Sequence, residues 1–204
     1  WGRNEWGTLA QNSTATVKVS SPVQIGSDTT WASDSYYSVR ANYTVASALK
    51  TDGTLWIWGN NYKGKMAQNN DSPGYSSPVQ IPGTTWKTCC SAGNYFTVSA
   101  CFATKTDGTA WAWGSTANGM LGLNQGSTPA PGAPSYSSPT QIPGTIWRSV
   151  FCGRKSSFAT KTDGTMWSWG YGSRSSTALL AQNNQVSYSS PVQIGSETDW
   201  HTNI

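Results

Sequence analysis

The sequence predicts an all-β protein, a β-propeller built from four-stranded blades of about 55 residues, and three observations carry that prediction. The pentapeptide Lys-Thr-Asp-Gly-Thr occurs three times, at Lys50 to Thr54, Lys105 to Thr109 and Lys161 to Thr165, each followed by one residue and then Trp-x-Trp-Gly. The opening lysines lie 55 and 56 residues apart (105−50 and 161−105), a period that belongs to propeller or solenoid arrays. Asp-Gly ahead of alternating small and aromatic residues signals a hairpin, and no stretch sustains the 3.6-residue apolar period of a helix. Solenoid coils are usually shorter and lack a tight Asp-Gly hairpin in every unit, which favours the propeller.

The elements follow in order. Residues 1–30 read as the end of a partial blade: Trp1-Gly2 falls 57 residues (59−2) before Gly59, and Ser20-Ser21-Pro22 is the first of four Ser-Ser-Pro copies. Three full blades then span 31–85, 86–146 and 147–199, opened by the isolated tryptophans Trp31, Trp86 and Trp147, and 200–204 starts a further blade at Trp200. That tryptophan leads a first strand, such as Trp147 to Cys152, and a second strand runs into the turn. Asp52-Gly53, Asp107-Gly108 and Asp163-Gly164 are expected at the centre of type I′ turns, where both residues need positive φ. The third strand carries Trp56 with Trp58, Trp111 with Trp113 and Trp167 with Trp169, two residues apart and so on one face. A face of that size must be packed, and one unit alone cannot bury it. Gly59, Gly114 and Gly170 end this strand, and unequal loops follow at 60–75, 115–136 and 171–188. Ser-Ser-Pro-Val-Gln-Ile supplies a fourth strand, its proline expected as the first residue of an outer edge strand, with Val79 and Ile81, or Val192 and Ile194, facing inward.

Composition narrows the function classes. Charged residues are 11% of the chain, against roughly 25% in an average soluble protein, and the net charge of +4 is scattered. The densest basic groups are Arg154-Lys155 and the Lys63, Lys65 pair, which form no nucleic-acid stripe. Three of nine carboxylates belong to the repeated turns; Asp28, Asp34, Glu197 and Asp199 recur near the isolated tryptophans and read as solvated loop ends. The single histidine, His201, lies close to the last residue, so no triad is expected, and no glycine-rich phosphate cradle opens a helix. Cys89, Cys90, Cys101 and Cys152 lack Cys-x-x-Cys spacing for zinc. They read as small buried thiols, with Cys90 and Cys101 open to a disulfide across an antiparallel pair, which leaves the redox compartment undecided. No apolar run approaches the roughly 20 residues of a membrane span. Beginning and stopping inside repeats, the chain reads as a processed product or an ordered piece of something longer. The Trp-x-Trp pairs are assigned to packing, whereas the loop tyrosines Tyr62, Tyr75, Tyr136, Tyr171 and Tyr188 are open to a contact role.

These residues resemble the propeller repeats of the regulator of chromosome condensation. The similarity rests on Lys-Thr-Asp-Gly-Thr-x-Trp-x-Trp-Gly, then Asn60-Asn61-Tyr62-Lys63-Gly64-Lys65-Met66, then Ser76-Ser77-Pro78-Val79 and Trp86. Blade two keeps Gly119-Met120-Leu121-Gly122, close to the family's Gly-x-Leu-Gly, while blade one has Gly64-Lys65-Met66-Ala67 and blade three Ala178-Leu179-Leu180-Ala181. Members usually close with seven blades, so the resemblance implies either further sequence or closure by another chain. It covers nuclear nucleotide-exchange factors, secreted enzyme inhibitors and many repeats of bacteria and their viruses on one scaffold. The cassette from Ser76 to Trp86 and the Gln-Asn-Asn loops are similar to repeats in structural proteins of tailed bacteriophages. The expectation is a non-enzymatic structural or decorating component of a virion or other extracellular assembly. It needs no cofactor and no metal, its partners are protein subunits, and it uses neither nucleic acid nor a membrane span. A surface binding module of adhesin or inhibitor type, using the 115–136 loop, is the alternative; a nucleotide-exchange factor comes third.

Overall fold

The computed structural model describes residues 1–33, 38–93, 99–125, 133–174 and 177–200. Asp34, His201 and residues 126–132 of the 115–136 loop therefore lie outside the described residues. Three four-stranded antiparallel sheets repeat along the chain. The first orders β3 (Val39–Ala41), β4 (Val45–Leu49), β5 (Leu55–Gly59) and β6 (Tyr75–Gln80); the second orders β7 (Trp86–Gly93), β8 (Ser99–Lys105), β9 (Ala110–Ser115) and β10 (Ser135–Gln141). The third orders β11 (Trp147–Cys152), β12 (Ser156–Lys161), β13 (Met166–Gly170) and β16 (Tyr188–Gln193), with a small hairpin of β14 (Ser173–Arg174) and β15 (Thr177–Ala178) inserted in its loop. Ahead of them, β1 (Gly2–Arg3) pairs β2 (Lys18–Val19), which is the partial unit at the amino end. Among the described residues helix is confined to two single turns, Tyr62–Gly64 and Ala117–Gly119.

The first two sheets are packed on both faces and the third on the face toward the second, and the sequence sorts residues between faces by alternation. In β4, Ala46 and Ala48 face the partial unit, together with Trp58, while Val45 and Leu49 face the next sheet. Small residues stand directly opposite the tryptophans: Ala46 pairs Trp58 and Ala48 pairs Trp56, Cys101 pairs Trp113 and Ala103 pairs Trp111, Ser157 pairs Trp169 and Ala159 pairs Trp167. A large ring over a small neighbour keeps the layer at close-packed thickness. The core is consequently shared between units. Val45, Leu49, Leu55, Ile57 and Met66 of one sheet pack against Trp86, Cys89, Cys101 and Trp113 of the next. Phe102, Ala112, Met120 and Ile142 repeat the arrangement against Trp147, Val150 and Trp169.

The fourth strand departs from expectation. It starts at Tyr75 and at Tyr188, ahead of Ser-Ser-Pro, so that the proline lies inside the strand. The register to β5 shifts between Ile57 and Gly59, opposite that proline, and a bulge on an edge strand spares the ladder a missing donor. The outer edge is then partly covered by the preceding unit, whose Asn12, Asn69 and Asn124 amides donate to the carbonyls of Ser76, Ser137 and Ser189 at 3.0, 2.8 and 2.8 Å. Gly64 makes this approach fit. It has φ +72, and a Cβ there would stand 2.6 Å from the Ser137 Cα, a position for a residue without one.

Candidate functional site

The repeated pentapeptide resolves into a tight structural device. The Gly53 amide donates to the Lys50 carbonyl at 3.0 Å and the Lys50 amide to the Thr54 carbonyl at 2.9 Å. Only Gly53, with φ +78, has positive φ; Asp52 does not. The central pair is therefore Thr51-Asp52, followed by glycine in a left-handed bulge, and the expected type I′ turn is corrected to a three-residue loop. The reason is the side chain of aspartate. Asp52 Oδ1 accepts both the Thr54 amide and the Thr54 hydroxyl, at 2.9 and 2.7 Å, and holds the chain in that form. Asp107 with Thr109 and Asp163 with Thr165 repeat it.

Two further layers build on this turn. The first tryptophan of each pair donates its indole N–H to the threonine hydroxyl: Trp56 to Thr54, Trp111 to Thr109 and Trp167 to Thr165, at 2.9, 2.9 and 2.8 Å. The threonine hydroxyl and amide hold Asp52, Asp107 and Asp163 below the usual carboxylate range. The turn lysine lies over two rings, Lys105 at 4.6 Å from Trp86 and 4.7 Å from Trp111, Lys161 at 4.6 Å from Trp147 and 4.3 Å from Trp167. Its backbone pairs with that isolated tryptophan in register. Lys50 sits likewise over Trp31 and Trp56, at 5.1 and 4.2 Å, and adds an ion pair to Asp28. That lysine, with Thr30, pulls the Asp28 carboxyl well below its ordinary value.

The second tryptophan has a different role. Trp58, Trp113 and Trp169 are buried and reach into the preceding unit, donating to the carbonyls of Thr8, Lys65 and Met120 at 2.9, 2.8 and 2.7 Å. The turn charges and tryptophans predicted as a structural set thus meet one another, and all six indole N–H groups of the Trp-x-Trp pairs are bonded within the scaffold. Gly59 closes the third strand, where a Cβ would stand 2.3 Å from the Thr44 carbonyl oxygen, and Gly170 does so beside Lys155. Gly114, with φ +105, pairs Tyr136 in register.

The opposite end of the sheets carries the unequal loops, and there sequence reasoning missed most. Lys65, grouped with Lys63 among the densest basic residues, is 1% exposed; its ammonium donates to Thr44 Oγ1 at 3.0 Å, and burial pushes its pKa down to about 8. Aligning the repeats places Lys65 on Met120 and Leu179, which is the signal that it points inward. Lys63 spans the gap to the next unit and donates to the Ala133 carbonyl at 2.7 Å. The cysteines also differ. Cys90 forms a disulfide with Cys152, between the first strands of sheets two and three, whereas Cys89 and Cys101 are free and buried. Cys101 stands opposite Ser91 and Cys90 opposite Phe102, so Cys90 and Cys101 are one register apart and point to opposite faces. Among the described residues no group of three His, Cys, Asp or Glu is arranged to hold a metal, and no helix is long and apolar enough to cross a membrane. Tyr75, Tyr136 and Tyr188 pack against the cores, while Tyr62 is 37% exposed and Tyr171 lies under Lys155 at 4.9 Å.

Clefts open at this end. One of about 730 Å³ separates the loop after β1 from the loop after β5 and is lined by Glu5, Trp6, Asn60, Tyr62 and Asp71 among others. A smaller one of about 350 Å³ lies between Arg154, Lys155, Tyr171 and Leu179.

Residues 107–160 match the family model of the regulator of chromosome condensation (RCC1) repeat. Among solved structures, yeast RCC1 (Prp20) bound to Kap60 superimposes with a TM-score of 0.64 at 19% identity, over 78% of this chain and 36% of that one. Prp20p of Saccharomyces cerevisiae, described with its binding to Gsp1p and histones, gives 0.63 at 18%, over 78% and 38%. Human WBSCR16 gives 0.65 at 17%, over 93% and 45%. The chain spans less than half the length of the solved proteins it matches, and at these identities the likeness is one of fold. Residues 107–160 thus match the RCC1 repeat, and the chain is a β-propeller similar in fold to the RCC1 propellers.

Proposed function

We propose that the chain is a non-enzymatic component of an extracellular assembly, a virus particle of the tailed-phage type, and that it acts through protein–protein contacts. One observation carries this reading: the recurring turn carboxylates and indoles are engaged by turns and packing, and the largest differences from unit to unit, in length and sequence, lie in the loops of one end. The Cys90–Cys152 disulfide supports an oxidising setting. The yeast propellers of the same fold are described with protein partners, Kap60, Gsp1p and histones, which supports a protein as the thing bound. The low charge of the surface and the Ser-Ser-Pro cassette favour a particle over a nuclear role.

The test is to recover particles from the source of the gene and search them for this chain by mass spectrometry. A fixed stoichiometry with particle proteins is expected; a chain found only free inside cells, without an assembly partner, would overturn the reading. A second reading, a surface module that grips a ligand with its loops, is favoured by the 730 Å³ cleft. The two are compatible on one molecule.

A further inference from the structure

We infer that the chain binds a second copy of itself head to tail, the free face of the third sheet receiving the partial first unit of the copy. Each junction inside the chain is closed by the same three contacts. An indole N–H reaches back to a loop carbonyl, Trp58 to Thr8, Trp113 to Lys65 and Trp169 to Met120. A loop asparagine amide donates to a serine carbonyl, Asn12 to Ser76, Asn69 to Ser137 and Asn124 to Ser189. The next serine turns its hydroxyl to the side chain of that asparagine, Ser77 to Asn12, Ser138 to Asn69 and Ser190 to Asn124, each at 3.4 Å.

The two halves of this set stand unused on opposite sides of the molecule. Trp1 holds the repeat position of Trp58, because Gly2 pairs Val19 just ahead of Ser20-Ser21-Pro22 as Gly59 pairs Tyr75 ahead of Ser76-Ser77-Pro78. It is 73% exposed, against 2%, 1% and 0% for Trp58, Trp113 and Trp169. Ser20 and Ser21 are exposed beside it in sequence. On the third unit, Leu179 and Asn183 hold the repeat positions of Met120 and Asn124. Among the described residues the Trp1 indole, the Ser20 carbonyl, the Leu179 carbonyl and the Asn183 amide enter no hydrogen bond. Donor therefore faces acceptor at every position when the first unit of one copy follows the third unit of another.

The receiving side is already shaped for this contact. Ala181 and Asn183 have φ of 54 and 53, the values of Ala10 and Asn12 (55 and 53), which make the junction bonds. Alanine seldom adopts that form, and a loop that holds it before contact loses little entropy on binding. Apolar surface waits beside it. Phe158 and Ile194 are half-buried, whereas Phe102, Ile81 and Ile142, their counterparts at the interior junctions, are buried, and covering them favours association. One position departs from the pattern. Ala178 stands where Gly64 and Gly119 let a serine backbone approach, and a Cβ at those glycines would come within 2.6 and 2.8 Å of the serine Cα. The junction between copies is thus the loosest of the series and separable. This chain matches 45% of the length of human WBSCR16, so two copies approach one such propeller, and a head-to-tail contact that closes on itself gives a ring.

The experiment uses the whole chain. Its mass by sedimentation equilibrium is expected to rise with concentration between about 1 and 100 µM, to twice the chain mass or a series of multiples. Trp1→Ala should weaken association at least tenfold and leave the unfolding midpoint unmoved, since that side chain is exposed; an equal loss of stability would mark a merely structural role. Direction is read by cross-linking. Ser21→Cys and Asn183→Cys variants, mixed and treated with a short bismaleimide, should give a covalent pair, and each variant alone should give no more than the wild type. Pairs formed by one variant alone would mean that like faces meet, and would overturn the assignment. A chain of single mass throughout, or association indifferent to Trp1→Ala, would overturn it too. Recovery of the chain in particles at a fixed stoichiometry, with no self-association in solution and no mixed cross-link, would sink this inference and leave the particle reading standing.

Discussion

The two ends of the propeller are built by opposite rules. At the turn end one solution is used three times: Asp–Thr–Trp hydrogen bonds, a lysine over two indoles, and glycine in the left-handed bulge. At the loop end the devices are used once each: a 2.7 Å bond from Lys63 to Ala133 and the Cys90–Cys152 disulfide cross two different junctions, and the buried Lys65 ammonium is held by Thr44 within its own unit. Repetition marks the end that sets geometry, and single-use devices mark the end left free to diversify.

The largest effect is expected where the scaffold tryptophans bridge units. Trp113→Ala removes a fully buried indole and its bond to the Lys65 carbonyl and should cost about 3–5 kcal/mol in denaturant unfolding. Tyr62→Ala at the loop end should stay within about 0.5 kcal/mol. Equal losses at both ends would break the comparison.

Next comes the loop end's own staple. Cys152→Ser opens a disulfide that spans 62 residues and should cost about 2–4 kcal/mol. Unfolding of the wild type should respond to reductant by the same amount, and the variant should not respond.

Lys65 is predicted to move stability the other way. Its folded pKa, about 8, lies below its ordinary 10.5, so the unfolded chain binds the extra proton between those values and stability should rise with pH across that window. Below about pH 8 the buried charge is a net cost, and Lys65→Met, which copies Met120, should stabilise by roughly 1–3 kcal/mol at pH 7. Cys89 and Cys101, pushed by burial up to about 11 and about 12, act oppositely above pH 9. The difference between wild type and variant isolates the lysine, and a pH-independent difference would refute its buried charge.

The smallest effect tests one copy of the repeated relay. Thr165→Val leaves Asp163 and the Trp167 indole without their shared hydroxyl and should cost roughly 1 kcal/mol. Because Asp163 is held below its ordinary pKa, what it contributes is full above about pH 4 and is lost as pH falls through its lower folded value. The variant should therefore show a shallower acid loss than the wild type.

Much of the turn end was legible in the sequence because its signals are local and repeated. The strand carrying Trp111 and Trp113, the strand opened by Trp147 and the isolated tryptophans all follow from spacing. The turn type did not, because Asp-Gly as a pair suggests I′ until the threonine after it is given a hydrogen-bonding role. Nor did the pairing of Cys90 with Cys152, which joins two units and leaves no trace in the register of either. Lys65 illustrates a third limit: a lysine in a polar loop reads as exposed unless the repeats are superimposed and Met120 is seen in its place.

The most direct measurement is hydrogen exchange of the chain free and within the particle proposed for it. Protection gained on assembly should fall on peptides covering 5–14 and 60–74, at the loop end. The turns at 50–54, 105–109 and 161–165 should exchange equally in both states. New protection at those turns, with none at the loops, would contradict the division between a repeated scaffold and a diversified contact face.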